Sequence, residues 1–287
     1  MLSRRRFAAL VPFLFLLISN AFAAGPGLAL TTILDGDAQL LRGESKFTLL
    51  EGTPLQADDL LEVSDKGRLL RIEYADGVKL DLGPGTRVLL APHLAGDRGR
   101  ARVYLLRGWA KVSVPAKMAP VAVITPVFDA ISISGNAVLA VLPEGAQAFA
   151  EAGEIALRFA QAGTAPLTLK PNEWMGLAPG AKPSVSARPG QAFVQQVPRP
   201  FLDPLPSRAG LFAGKEREPK RVGDLAYADA QPWLDSTEPL MRKLALARWR
   251  ALHRNAEFRA GLLAGMKAHP EWQPVLFPPP PVNASSR

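Results

Sequence analysis

The side chains able to do chemistry in this chain of 287 residues are few. There are three histidines, His93, His253 and His269, and none has a second ligand at metal-binding spacing. With no cysteine there is no disulfide, no thiolate metal site and no thiol nucleophile. Asp35 with Asp37 and Asp58 with Asp59 are paired carboxylates. The first pair reads as a turn before a strand, the second as exposed acids bordering one. Two carboxylates do glycosidic chemistry only at a set separation across a cleft, which spacing alone does not establish. No nucleophile elbow, phosphate loop or dinucleotide fingerprint occurs. The expectation is a chain that is not an enzyme and has no catalytic residue, no cofactor and no metal. Of the five tryptophans, Trp109 and Trp174 are the candidate partner-binding platforms, because Gly108 and Gly176 beside them leave room for a ring. Trp233, Trp249 and Trp272 read as core. Lys243, Arg250 and Arg254 form a candidate basic face for an acidic partner.

These residues must be positioned by a mainly β fold. Short alternating or apolar runs separated by Gly, Pro, Asp and Asn fill residues 30–185. The clearest is the stretch 68–90, where Leu70, Ile72 and Tyr74 alternate with Arg71 and Glu73. Val78, Leu80 and Leu82 then alternate with Lys79 and Asp81. Asp76-Gly77 between them predicts a two-residue primed hairpin turn. The interleaved Arg71, Glu73, Lys79 and Asp81 are expected on the solvent side. Runs at 102–106 and 110–114 read as separate strands. So many short strands predict stacked sheets in a sandwich, barrel or β-solenoid.

Residues 186–223 are rich in proline, which removes backbone donors. Phe193, Phe201, Leu202, Leu205 and Phe212 punctuate this segment, so it reads as a linker or, by preference, a strap packed on the β domain. Helical patterning begins near Asp224. A helix over 238–254 is expected with Thr237 as its cap and with Met241, Ala245, Trp249 and Leu252 on one face. A second helix is capped by Asn255, faces Phe258, Leu262 and Met266 inward and stops at Pro270. The tail from Phe277 is proline-rich and extended. The domains expected are 1–23, 24–185, 186–223 and 224–287.

The first of these reads as an export signal. Three arginines precede an apolar run from Phe7, and Ala21-Phe22-Ala23 has the small-x-small cleavage pattern, with cleavage after Ala23. Ser3-Arg4-Arg5-Arg6-Phe7 also fits the twin-arginine pattern, but the leucine-rich run suits the general secretory route better. A periplasmic or secreted location is expected, with no membrane span after cleavage. Beyond the signal, residues 24–198 are neutral, with seventeen Lys and Arg against seventeen Asp and Glu. Residues 199–287 carry fourteen against nine, so the basic excess lies in the C-terminal third. A neutral β region with no recognised motif argues against nucleic acid as a partner.

Five motifs in order resemble the FecR domain family of the bacterial envelope. They are Tyr74-Ala75-Asp76-Gly77-Val78-Lys79-Leu80-Asp81-Leu82, Leu106-Arg107-Gly108-Trp109-Ala110-Lys111-Val112, Val123-Ile124-Thr125-Pro126, Ile133-Ser134-Gly135-Asn136 and Phe149-Ala150-Glu151-Ala152-Gly153-Glu154-Ile155. The resemblance runs from near Gly43 to near Gly180. Asn172 departs from it where a turn glycine is expected, and asparagine is the next best residue for the left-handed region. Asn136 stands where the family has threonine. The resemblance implies a non-catalytic domain that binds proteins or cell-wall material. Sigma-factor regulators of the family carry a cytoplasmic helper region and a membrane span before this domain. Here only six residues precede the apolar run, so a stand-alone exported member is expected.

Two functional readings follow. One is an envelope protein-interaction or signalling-accessory module, its sheet docking a protein and its helices an acidic polymer. The other is a peptidoglycan- or polysaccharide-binding protein that stacks sugars on Trp109 or Trp174.

Overall fold

The computed structural model describes residues 27–92 and 101–278. The export signal, its cleavage site at Ala23, and His93 lie outside the described residues. Eighteen strands among the described residues join into one continuous sheet that folds back on itself into two layers. The first layer contains β1 (Ala29–Asp35), β4 (Pro54–Leu55), β6 (Leu69–Tyr74) and β7 (Lys79–Leu82). It also contains β12 (Asn136–Leu142), β13 (Gly145–Ala152), β16 (Trp174–Leu177) and β17 (Ser184–Ser186). The second contains β2 (Ala38–Arg42), β3 (Ser45–Thr48), β5 (Leu60–Val63), β8 (Arg87–Leu90) and β10 (Val121–Ile124). β11 (Phe128–Ile133), β14 (Ile155–Phe159), β15 (Leu167–Leu169) and β18 (Lys220–Asp224) complete it.

The layers share one strand. β9 (Ala101–Ser113) pairs through its first half with β8 and β10, and through its second with β7 and β12. The two strands expected at 102–106 and 110–114 are therefore one. Gly108 sits at the crossing with φ +94°, and a Cβ there would lie 2.4 Å from Thr86. Only glycine takes that backbone at that distance. The mainly β expectation holds, as does the left-handed Asn172, with φ +70°.

The hairpin turn is wider than expected. Gly77 N–H donates to Tyr74 O and Tyr74 N–H to Val78 O, both at 2.9 Å. Gly77 has φ +84°, while Asp76 stays at negative φ. This is a three-residue loop with a glycine bulge, not a primed two-residue turn. The Asp76 carboxylate accepts from Val78 N–H at 3.2 Å and stabilises it.

Leucine doublets explain the layering. In Leu40-Leu41, Leu60-Leu61, Leu69-Leu70 and Leu89-Leu90 all eight side chains are buried. Neighbours in a strand point to opposite faces, so both faces of each layer are covered. Leu40, Leu61, Leu70 and Leu90 meet in the core between the layers. Leu41, Leu60 and Leu89 pack outward against the C-terminal helices. Leu69 packs outward under the proline-rich segment, with Trp109, Val138 and Ala140.

Those helices are α2 (Tyr227–Leu234), α3 (Pro239–Trp249), α4 (Ala256–Ala264) and α5 (Gln273–Leu276). α1 (Gln191–Gln196) lies in the proline-rich segment. The single helix expected over 238–254 gives way at Arg250 to a 3-10 turn, Arg250–Arg254. Its cap is Glu238, whose carboxylate accepts from Leu240 N–H, in place of Thr237. Asn255 caps α4 as expected, accepting from Phe258 N–H at 3.0 Å. α4 ends at Gly265, before Pro270.

Candidate functional site

The outer face of the first layer carries most of the charged chemistry. β6 and β7 pair Arg71 with Asp81 and Glu73 with Lys79 across the hairpin. Alternation sets these side chains opposite to the inner core, as the sequence implied. The solvent expected there is absent: Arg71, Glu73 and Asp81 are 4%, 4% and 2% exposed. Residues 193–208 run over them as a strap, with Phe193, Val197 and Phe201 buried on Leu69, Trp109 and Val138. The apolar anchors explain the cover, since burying such side chains is worth about 1.5–3 kcal/mol each.

The charged residues hold the strap by its backbone. Arg71 donates through Nε and Nη2 to both oxygens of Asp81, at 2.5 and 2.6 Å. Its Nη1 donates to Leu205 O at 2.9 Å. Lys111 Nζ donates to Phe201 O at 2.6 Å and pairs with Glu151 at 2.8 Å. Glu73 accepts from Thr32 Oγ1 and Arg208 N–H, each at 2.8 Å, and from the Ser207 hydroxyl. Burial alone raises the Glu73 carboxyl. The hydrogen bonds from Ser207, Arg208, Thr32 and Ala209 outweigh it and hold the group below the usual carboxylate range.

Trp109 is 7% exposed beneath Phe193, with ring centroids 5.8 Å apart. Its placement is that of a core side chain. Trp174 is half-buried. Its indole lies across Gly176, where a Cβ would come 2.3 Å from Cη2. Its Nε1–H donates to Gln147 Oε1 at 3.3 Å, and its edge meets Phe193 at 6.4 Å. Trp174 lines a cleft of about 530 Å³ with Gln147, Lys182, Ser184, Phe193 and Gln196. β17 borders this cleft. It pairs with β16 on one side, all three of its residues are exposed, and Val185 is 50% exposed.

The helices cover the second layer. Trp233, Trp249 and Trp272 are buried there. Trp249 Nε1–H donates to Gly43 O at 3.1 Å, and Lys46 pairs with Asp229 at 3.0 Å. Lys243, Arg250 and Arg254 are exposed, Lys243 on α3 and the two arginines on the following 3-10 turn.

His269, just before Pro270, is fully buried. Its Nδ1 lies 3.0 Å from Asp235 Oδ1 and its Nε2 3.3 Å from Leu262 O, so it ties α2 to α4. His253 Nδ1 lies 2.6 Å from Arg250 O within its own turn.

Asp59, expected to be exposed, is 1% exposed and takes two hydrogen bonds from Arg42, at 2.8 and 2.7 Å. Gly36 turns the chain between β1 and β2, as the Asp35-Gly36-Asp37 reading requires. Among the described residues no three metal-ligating side chains cluster, and no helix is long and apolar enough to cross a membrane.

No family model matches the chain. No curated protein matches it either. Among solved structures, two of a candidate anti-sigma factor from Parabacteroides distasonis are similar. One, at 1.65 Å resolution, has 17% identity and a TM-score of 0.37, covering 48% of this chain and 65% of the other. The second, at 2.50 Å, has 18% identity and a TM-score of 0.38, covering 48% and 64%. The chain thus spans just under two thirds of the length of those neighbours.

Proposed function

We propose that this protein is a non-catalytic interaction module of the bacterial cell envelope, FecR-like in its β domain, that docks an extended strand of a partner protein on the open edge of β17. The single observation that carries the reading is that edge. Its backbone groups face away from β16 beside the Trp174 cleft, and Val185 presents apolar surface. Strand addition draws affinity from main-chain hydrogen bonds and specificity from neighbouring pockets. β18, which ends the second layer, carries Lys220, Arg221 and a register shift, features that discourage pairing. The location is part of the proposal and rests on the basic, apolar and small-residue pattern of residues 1–23. The family rests on the five motifs.

The test is capture of envelope proteins by the full chain and by Ser184→Lys and Val185→Lys. Strand docking predicts that one retained protein falls about tenfold or more in both edge variants, a loss of about 1.4 kcal/mol. Equal retention by the variants removes the edge from the function.

A second reading, a glycan binder, is favoured by the Trp174 indole, which is laid across Gly176 and oriented by Gln147. Co-sedimentation with purified sacculi tests it. Binding by the unmodified chain that is lost in Trp174→Ala supports a stacking platform, and failure of the unmodified chain to sediment ends the reading.

A further inference from the structure

A separate cleft of about 510 Å³ opens between β2, β5, β8 and β9. Arg87 on β8 and Arg107 on β9 are direct cross-strand partners, and both line it. Like charges placed opposite one another repel unless each has a counter-charge. Arg87 has one: its Nε donates to Glu62 Oε1 at 3.1 Å. Among the described residues Arg107 pairs with Asp65, at a loose 3.8 Å, and that carboxylate is 87% exposed. A guanidinium has five N–H donors in a planar fork suited to a carboxylate, so Arg107 keeps donors for a ligand.

The same cleft is lined by the carboxylates of Asp37, Glu62 and Asp65, with Gln39 and Ser64 between them. Glu62 is engaged by Arg87, by Gln39 Nε2 at 3.1 Å and by Trp233 Nε1 at 3.3 Å. Asp37 is exposed at the rim. Ser64 Oγ is buried without a hydrogen-bond partner. A phosphate or other simple anion meets three carboxylates here, and a simple cation meets two guanidiniums. A neutral ligand desolvates charges without pairing them, which is unfavourable. A ligand carrying both signs matches both sets.

We propose that this cleft binds a small zwitterion, an amino acid or dipeptide, with its carboxylate on Arg107 and its ammonium on Asp37. The indole N–H of Trp233 is a built-in reporter, because it donates to Glu62 at the base of the cleft.

The experiment follows that proton by NMR in the full chain during titration with alanylalanine, acetate and alaninamide. The proposal predicts a saturable shift with alanylalanine, and binding about tenfold or more weaker for acetate and alaninamide, each of which lacks one charge. Arg107→Gln and Asp37→Asn, both at exposed side chains, are predicted to weaken alanylalanine by a similar factor while the rest of the spectrum is retained. No saturable shift up to about 10 mM, unchanged affinity in either variant, or acetate binding as tightly as the dipeptide would each overturn it.

Discussion

Arg71 and Asp81 meet in a two-fold hydrogen-bonded pair with both side chains almost wholly buried, and the same guanidinium reaches a strap carbonyl. Removing one partner strands a buried charge. Asp81→Asn is expected to destabilise the fold by about 3–5 kcal/mol, measured by chemical denaturation. Glu73 adds a pH dependence. Its folded value lies below its usual one, so its contribution is present above the ordinary carboxylate range and is lost as pH falls through the folded value. Glu62 has the opposite sign: burial, opposed by Arg87, Trp233 and Gln39, pushes its carboxyl up. Its contribution is full below the ordinary range and is lost as pH rises through the folded value. Glu73→Gln is therefore expected to flatten the loss of stability as pH falls below the ordinary carboxylate range, in denaturation series at each pH. The alternation in residues 69–82 gave the side on which Arg71, Glu73 and Asp81 stand. It gave nothing about their cover, because the residues that cover them are more than 100 positions away in the chain.

At the scale of elements, the strands from β6 to β8 were legible because period-2 alternation and Asp-Gly are local signals. β1 (Ala29–Asp35), β17 and β18 were not, since short or mixed strands are defined by their partners. The runs at 102–106 and 110–114 are one strand because Gly108 lets β9 cross from one layer to the other, a role that local alternation does not show. The leucine doublets carried the missing information: two adjacent apolar residues in a strand report cover on both faces. For the strap, Phe201 is the central anchor at 1% exposure, against Trp109 and Leu69. Phe201→Ala is expected to cost about 3–5 kcal/mol and to shift the emission of Trp109 towards that of a solvated indole, read by fluorescence during denaturation. Of the candidate site, Trp174 beside Gly176 was legible from two letters. The β17 edge and the Arg87–Arg107 cleft were not, because both arise from strand register.

At the scale of the molecule, four layers lie in order: strap, first sheet layer, second sheet layer and helices. Three apolar clusters lie between them. The basic C-terminal third thus supplies the helices and most of the strap, the fold's outer cover, as well as a charged surface. This accounts for how a chain without disulfides closes both faces of a folded-over sheet. It also accounts for why its accessible backbone hydrogen-bonding groups fall at edges such as β17. The hairpin's charged residues form an internal latch on the strap, while β17 stays uncovered. Hydrogen–deuterium exchange on the intact chain reads that latch. Amides of residues 201–208 are expected to be protected, to lose that protection first in Asp81→Asn, and to contrast with rapid exchange in β17. Exchange of residues 201–208 at the rate of free peptide, with β6 and β7 still protected, would contradict it.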